Sequence, residues 1–260
     1  MGDSEGTILI EEGPEPRIFS LIKFLRAEHV EDFRSGRLRL GSVESYRERH
    51  QDDPGRRNDD AEFLSHLFQP DKVIVELNGH KIGDICAPIE IRMNFEHRSY
   101  LLCMSSVTDR FLNSGCGVQK LSPDLVSLGQ NAVIVYHVEE FKRRIKEAVL
   151  KIGYLKGYPD SDNRIAKLVE YVDFASFDGR VGPFRKSDEY SFQLEWRVAV
   201  VDVRETIAYP DHIWLEVGDI SDITSTVDSS VFLESEIRAT PRNGATPVKQ
   251  LPVDVPGPLS

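Results

Sequence analysis

The sequence YSFQLEWRVAVV, residues 190–201, alternates between polar and apolar side chains along most of its length. Alternation with period two predicts a strand whose apolar side chains face a core. Gln193, Glu195 and Arg197 then share the opposite face. A polar face of this kind usually meets only solvent. A functional site therefore needs support from elsewhere in the chain.

A second predicted strand, residues 17–25, places Lys23 on the same face as Phe19, Leu21 and Leu25. Lysine is rarely buried without a partner. A cation on an apolar face therefore indicates either an ion-pair partner or a functional role for the charge. Extension of the lysine from a sheet edge into solvent is the alternative. Both interpretations stay open at the level of sequence.

The composition excludes several classes of protein. With 260 residues and a net charge of -11, the chain lacks the excess of Lys and Arg that coats nucleic acid. Three cysteines without CxxC spacing indicate a reducing compartment and no disulfide framework. The N-terminus lacks a signal-peptide pattern, and no apolar run approaches the roughly 20 residues that span a bilayer. We therefore expect a cytoplasmic protein without membrane contact.

The order of predicted elements indicates a mixed, mainly antiparallel α+β fold. Residues 1–16 form a predicted flexible leader, 17–238 a single catalytic-type domain, and 239–260 a flexible Pro-rich tail. Helices are predicted at residues 27–34, closed by Gly36, and at 139–155 and 163–174. Strands are predicted at residues 18–25, 37–43, 89–95, 100–107, 131–138, 193–201 and 212–217, with a hairpin at 72–82 that turns at Asn78-Gly79.

Several familiar chemistries lack their motifs. The histidines and cysteines do not form a four-ligand zinc pattern, and neither a P-loop nor a GxSxG elbow occurs. Cys103 lies in an apolar run and is predicted to pack as a small hydrophobic residue. The charged loop 46–62 carries Asp52, Asp53, Asp59, Asp60 and Glu62. These carboxylates leave a magnesium-dependent nuclease open as an alternative.

The order of Lys23, then Ser105 or Ser106, then the Gln193-x-Glu195 pair resembles the ADP-ribosyltransferase fold. The chain also resembles a bacterial family with a Cys-aromatic-Ser strand and a late Lys followed by Glu-x-Glu-x-Arg. The matching positions here are Cys103-Met104-Ser105, Lys186 and residues 193–197. Two positions depart from the pattern: Lys23 replaces the usual Arg or His, and Met104 replaces an aromatic residue.

The resemblance implies an enzyme that uses NAD as a substrate, without a metal, to modify a macromolecule. Glu195 would stabilise the cation that forms when the nicotinamide bond breaks, and Gln193 would orient the acceptor. Protein and nucleic acid both stay open as acceptors, and the biological setting implied is a toxin or phage-defence effector, with room for an inhibitory partner protein. A non-catalytic module that binds a nucleotide or a partner is a further alternative. The residues implied to bind NAD are Lys23, Ser105, Ser106, Arg197 and Tyr46.

Overall fold

The computed structural model describes residues 9–10, 16–47, 64–92, 98–110, 118–158, 164–205 and 208–238. Strands outnumber helices in this part of the chain. In chain order the strands are β1 (Leu9–Ile10), β2 (Ile18–Leu25), β3 (Arg37–Ser42), β4 (His66–Phe68), β5 (Glu76–Leu77), β6 (His80–Lys81), β7 (Ile89–Ile91), β8 (Ser99–Thr108), β9 (Val118–Gln119), β10 (Asn131–Val135), β11 (Leu155–Gly157), β12 (Arg164–Leu168), β13 (Glu170–Val172), β14 (Gly179–Arg180), β15 (Arg185–Ser187), β16 (Glu195–Asp202), β17 (His212–Glu216), β18 (Thr224–Asp228) and β19 (Ile237–Arg238).

Ten of these strands form one main sheet in the order β1-β12-β16-β8-β2-β10-β18. β11 pairs with β16 beside β12, and β3 connects β8 to β17. Every pair is antiparallel except β1 with β12, which run parallel. The predicted mixed, mainly antiparallel α+β class is therefore confirmed, with β8 and β16 at the centre of the sheet.

Helices are few and mostly short. They are α1 (Val30–Arg34), α2 (Val43–Arg47), α3 (Val138–Ile152) and α4 (Ser229–Glu234), with 3-10 turns at Ala27–His29, Pro123–Leu128, Asp188–Gln193 and Ser221–Ile223. Among the helices of the described residues only α3 is long, and its buried stripe includes Phe141, Ile145 and Val149. No helix within the described ranges has both the length and the apolar character that crossing a membrane takes.

The main sheet has a core on both faces. On one face α3 packs against β16, and the ring centroids of Phe141 and Trp196 lie 6.4 Å apart. Trp196, Val198 and Val200 alternate along β16 on that face. Ala199 and Val201 face the other way and pack in a separate cluster. Glu195 and Arg197 share the face of Ala199, because they have the same parity in the strand.

Two short sheets are separate from the main sheet, and the first of them supplies Lys186 and Tyr171 to Glu195. β13 and β15 form a parallel pair, and β14, β4 and β7 form a three-stranded sheet. A third small sheet is the β5-β6 hairpin, in which Asn78 and Gly79 both have positive φ. Such angles are typical of the tight turn that Asn-Gly favours, so this prediction is confirmed.

The helix predicted at residues 163–174 is wrong. This segment forms β12 and β13 instead, and β12 pairs with β16 from Ala166 to Leu168. Ile165, Ala166 and Leu168 are all buried, because the strand has packing on both faces. A strand buried on both faces has a nearly continuous apolar run, which short helices also show.

The strand predicted from Gln193 begins two residues later than expected, at Glu195. Residues 188–193 instead form a 3-10 turn that begins with Asp188 and Glu189 and ends at Gln193. Leu194 then has φ 47° and ψ 47°, in the left-handed region. Alternation of side chains requires extended backbone on both sides, so the turn removes Gln193 from the strand pattern.

Most other predicted elements are confirmed within a few residues, including β2, β3, β8, β10, β17 and α3. The predicted leader, residues 1–16, is described only at residues 9–10, which form β1, and at residue 16. The acidic positions from Asp52 to Glu62 lie outside the described residues. So does the predicted Pro-rich tail, residues 239–260.

Gly36 closes the turn after α1 with φ +85°, and a Cβ there would lie 1.8 Å from the carbonyl oxygen of Gly218. We expect Gly36→Ala to lower the free energy of unfolding by about 3 kcal/mol, from left-handed strain of about 1–2 and overpacking of about 1–3 kcal/mol. Gly153→Ala is the control, since Gly153 has φ +76° with nothing within 4 Å of the added Cβ. It should lose only about 1 kcal/mol. If urea denaturation shows the same loss of unfolding free energy in both variants, a clash between the added Cβ of residue 36 and Gly218 is contradicted.

Candidate functional site

Glu195 lies at the start of a central strand, where backbone contacts fix its position. In the sheet it is paired with Ser105 of β8. Its N–H donates to the hydroxyl oxygen of Tyr171 at 2.9 Å, and its carbonyl accepts from the N–H of Val169 at 2.8 Å. The backbone of Glu195 is therefore bonded to β13 and the β12–β13 junction as well as paired with β8.

The Glu195 carboxylate lies between two cations. Arg197 Nε donates to Oε2 at 2.5 Å, and Lys186 Nζ donates to Oε1 at 3.3 Å. Arg197 also donates from Nη1 to the carbonyl of Pro183 at 2.9 Å. The side chains of both cations are 1% exposed and that of Glu195 is 11% exposed. An ion group this far from water depends on its internal partners, because solvent cannot replace them.

Gln193 reaches the same group by a different route from the one predicted. It ends the 3-10 turn Asp188–Gln193, and its Oε1 accepts from Lys186 Nζ at 2.8 Å. Lys186 thus donates to both Gln193 and Glu195. We call Lys186, Gln193, Glu195 and Arg197 the buried ion cluster. The sequence expectation that the Gln193 and Glu195 side chains lie together is met, but a shared lysine brings them together and not the parity of a strand.

The cluster keeps the Glu195 carboxylate ionised. Burial by itself would raise the pKa of Glu195, but the charges of Arg197 and Lys186 outweigh it and lower the pKa to about 2. The pKa of the Tyr171 hydroxyl is shifted in the opposite direction. Burial, together with the nearby Glu195 carboxylate, raises the pKa of Tyr171. At neutral pH the site therefore holds a carboxylate anion beside a neutral phenol.

This lowered pKa predicts a specific acid sensitivity. The ion pairing of Glu195 contributes stability that is complete above its ordinary pKa of 4.5 and is lost as the pH falls toward 2. At about 1.36 kcal/mol per pH unit, the contribution is about 3 kcal/mol. We expect the difference in unfolding free energy between wild type and Glu195→Gln, measured in urea, to narrow between pH 7 and about pH 3. A difference that does not change with pH would contradict the assignment.

Of the residues predicted to bind NAD, Ser105 lies on the face of Glu195, since the two are directly opposite in the sheet. Arg197 shares this face and belongs to the buried ion cluster. Ser105 also lies opposite Ile22 in β2, so the next residue, Lys23, points to the other face. Lys23 Nζ donates to the carbonyl of Cys103 at 2.7 Å. The structure therefore does not bring Lys23 together with Glu195.

The remaining two residues predicted to bind NAD also lie on opposite faces of the main sheet. Ser106 has the parity of Lys23, and its hydroxyl donates to the carbonyl of Leu194 at 2.7 Å. Tyr46, half-buried in α2, packs against the cluster that contains Leu101 and Ala199, on the face of Glu195. Its ring leaves no room for a side chain at Gly41, where a Cβ would lie 2.9 Å from Cε2.

Sequence reasoning did not assign three residues of this environment to the site. Tyr171 fell within the segment predicted as a helix, and a single tyrosine carries no motif. Tyr190 lies beside the cluster, with its ring centroid 4.5 Å from Lys186 Nζ. Lys186 was matched to the late lysine of the family pattern but was not assigned to the site. A fully buried lysine would have been the signal, and burial is visible only in the folded chain.

The metal alternative gains no support from the described part of the chain. There, no group of three or more His, Cys, Asp or Glu side chains could hold a metal ion. Cys86 is exposed, Cys103 is half-buried, and neither of these two residues takes part in a disulfide. The acidic loop on which the nuclease prediction rests lies outside the described residues, so that alternative stays a prediction.

No protein-family model matches this chain, no curated protein matches it, and no solved structure matches it. We therefore derive the function from the geometry of the buried ion cluster and the chemistry of its residues.

Proposed function

We propose that this protein is an ADP-ribosyltransferase-like enzyme that uses NAD to modify a macromolecule. The observation that carries the proposal is the meeting of Gln193 and Glu195 at one buried cation, with the Glu195 carboxylate ionised beside Ser105. The fixed carboxylate supplies a negative charge that stabilises a cationic transition state. The fixed amide supplies a polar group that orients an acceptor.

The reaction has defined requirements. The bond between the nicotinamide nitrogen and the ribose carbon breaks, the electron pair leaves with neutral nicotinamide, and the ribose becomes an oxocarbenium-like cation. An acceptor nucleophile then bonds to that carbon and loses its proton. A preorganised anion near the ribose stabilises the developing positive charge, as carboxylates do in glycoside cleavage.

Three of the four residues of the buried ion cluster have a place in this scheme. Glu195 stabilises the cation and binds the ribose, with Ser105 opposite it in the sheet bracing the same sugar. Gln193 orients the acceptor. Arg197 keeps the carboxylate ionised through its charge and its bond to Oε2. Lys23 lies on the other face of the sheet, so the proposal assigns the NAD phosphates no contact with it.

The acceptor stays open between protein and nucleic acid. The direct test measures nicotinamide release from NAD by the full chain, alone and with bacterial lysate as a source of acceptors. Release that rises with lysate supports a transferase, and release without lysate dependence supports hydrolysis of NAD. No release under either condition would overturn the proposal.

A non-catalytic nucleotide-binding module is the second candidate, favoured by a separate observation. Both oxygens of Glu195 accept hydrogen bonds from within the protein, and its side chain is only 11% exposed. A carboxylate whose two oxygens are both hydrogen-bonded within the protein is less available to contact a ligand than an exposed carboxylate. Calorimetric binding of NAD without nicotinamide release would favour this candidate over the enzyme.

A further inference from the structure

Lys186 comes from outside the main sheet yet contacts both proposed catalytic side chains. It lies on β15, which pairs with β13 in a separate two-stranded parallel sheet. Its Nζ donates to Gln193 Oε1 at 2.8 Å and to Glu195 Oε1 at 3.3 Å. These two acceptors belong to a 3-10 turn and a strand that are joined in sequence by Leu194.

We propose that Lys186 is a positioning residue that holds the Gln193 amide and the Glu195 carboxylate in one arrangement for reaction with NAD. This inference rests on the proposed function. Lys186 acts through the two side chains and makes no contact with substrate.

The chemistry of lysine suits this role. An ammonium group has three donors and no acceptor, so two oxygens can share it without competing for one proton. The amide oxygen of Gln193 accepts from Lys186 Nζ, so this bond favours one orientation of the amide. The ring of Tyr190, 4.5 Å from Nζ, stabilises the cation further, as aromatic faces do. With the side chain 1% exposed, water cannot take over these contacts.

Arg197 does not duplicate this function. It bonds the other carboxylate oxygen, Oε2, and the carbonyl of Pro183. Loss of Lys186 therefore leaves the carboxylate its bond to Arg197 and removes the contact that joins Glu195 Oε1 to the Gln193 amide. Among the described residues, the titratable and charged groups near Glu195 are Lys186 from β15, Arg197 from β16 and Tyr171 from β13.

The experiment compares the full chain with Lys186→Met, Lys186→Arg and Lys156→Met. Lys156 is an exposed lysine on β11 and serves as the matched control. The Glu195 carboxyl pKa is measured by carbon-13 NMR titration, the Gln193 side-chain amide by nitrogen-15 NMR, and nicotinamide release by kcat and KM. Thermal unfolding checks that each variant is folded.

We expect Lys186→Met to raise the pKa of the Glu195 carboxyl and to shift the Gln193 amide signal. Misplacement of reacting groups by about 1 Å costs on the order of 10²-fold in rate, so kcat should fall by about that factor. Lys186→Arg should restore the low carboxyl pKa, because it keeps the charge, and should recover part of kcat. Lys156→Met should match wild type in every measurement.

The outcomes separate the two proposals. An unchanged carboxyl pKa and an unchanged Gln193 amide signal in folded Lys186→Met would overturn the role of Lys186. An unchanged kcat in that variant would overturn it as well. Absence of nicotinamide release by the wild type would instead overturn the proposed function, whatever the NMR titration shows.

Discussion

Glu195→Gln is expected to lower the rate of nicotinamide release by about 10²–10³-fold, the range seen when one preorganised electrostatic contact to a transition state is removed. The substitution keeps the shape of the side chain and removes its charge. A neutral amide cannot stabilise an oxocarbenium-like cation as a carboxylate does. The measurement is nicotinamide released per unit time at saturating NAD.

The control for this variant is Glu147→Gln, the same chemical change on α3. Glu147 is 60% exposed and pairs with Arg143. The helix that carries Glu147 packs on the other face of the main sheet, so loss of the Glu147 charge should leave the rate unchanged. Since Glu195→Gln also removes the carboxylate that both buried cations contact, thermal unfolding must show that the variant is folded. A folded variant that retains the wild-type rate excludes Glu195 from catalysis.

Arg197→Met is expected to lower the free energy of unfolding by about 3–5 kcal/mol, the usual cost of breaking a buried ion pair. The arginine side chain is 1% exposed and bonds both Glu195 Oε2 and the carbonyl of Pro183. Its removal leaves a buried carboxylate and a buried carbonyl with fewer donors. The midpoint of urea denaturation measures the loss.

Arg143→Met provides the comparison, because Arg143 also pairs with carboxylates, those of Glu140 and Glu147, but is 52% exposed. Solvent screens exposed ion pairs and leaves them a small contribution to stability, so this variant should lose little. A double variant with Arg197→Met and Glu195→Gln should lose less than the sum of the two single losses, since it removes the unpaired charge. Equal losses from Arg197→Met and Arg143→Met would contradict a buried network.

The local patterns predicted most of the elements that form the sheet. Period-two alternation placed β2 and β16 to within two residues at each end, and it placed Glu195 and Arg197 on one face. Helical spacing predicted α3, and a glycine after the last helical residue predicted the left-handed Gly36. These features depend on interactions between residues close in sequence, so they can be read from a short segment.

Three features of the site could not be predicted in this way. The left-handed conformation of Leu194 moves Gln193 out of the strand, and no glycine or asparagine signals it. Burial of Lys186 depends on β15, which pairs with a strand that had been predicted as a helix. Tyr171 reaches the Glu195 N–H across 24 residues of chain. Each depends on packing between segments distant in sequence.

Local patterns were enough to predict the α+β class, the central strand that carries Glu195 and the face that Glu195 shares with Arg197. The pairing of distant segments brings Lys186 to that face from β15 and leaves Lys23 on the other face. For Lys23 the cause is strand register, because a shift of one residue moves a side chain to the other face of a sheet. The pairing of Ser105 with both Glu195 and Ile22 sets that register and leaves Lys23 on the opposite face.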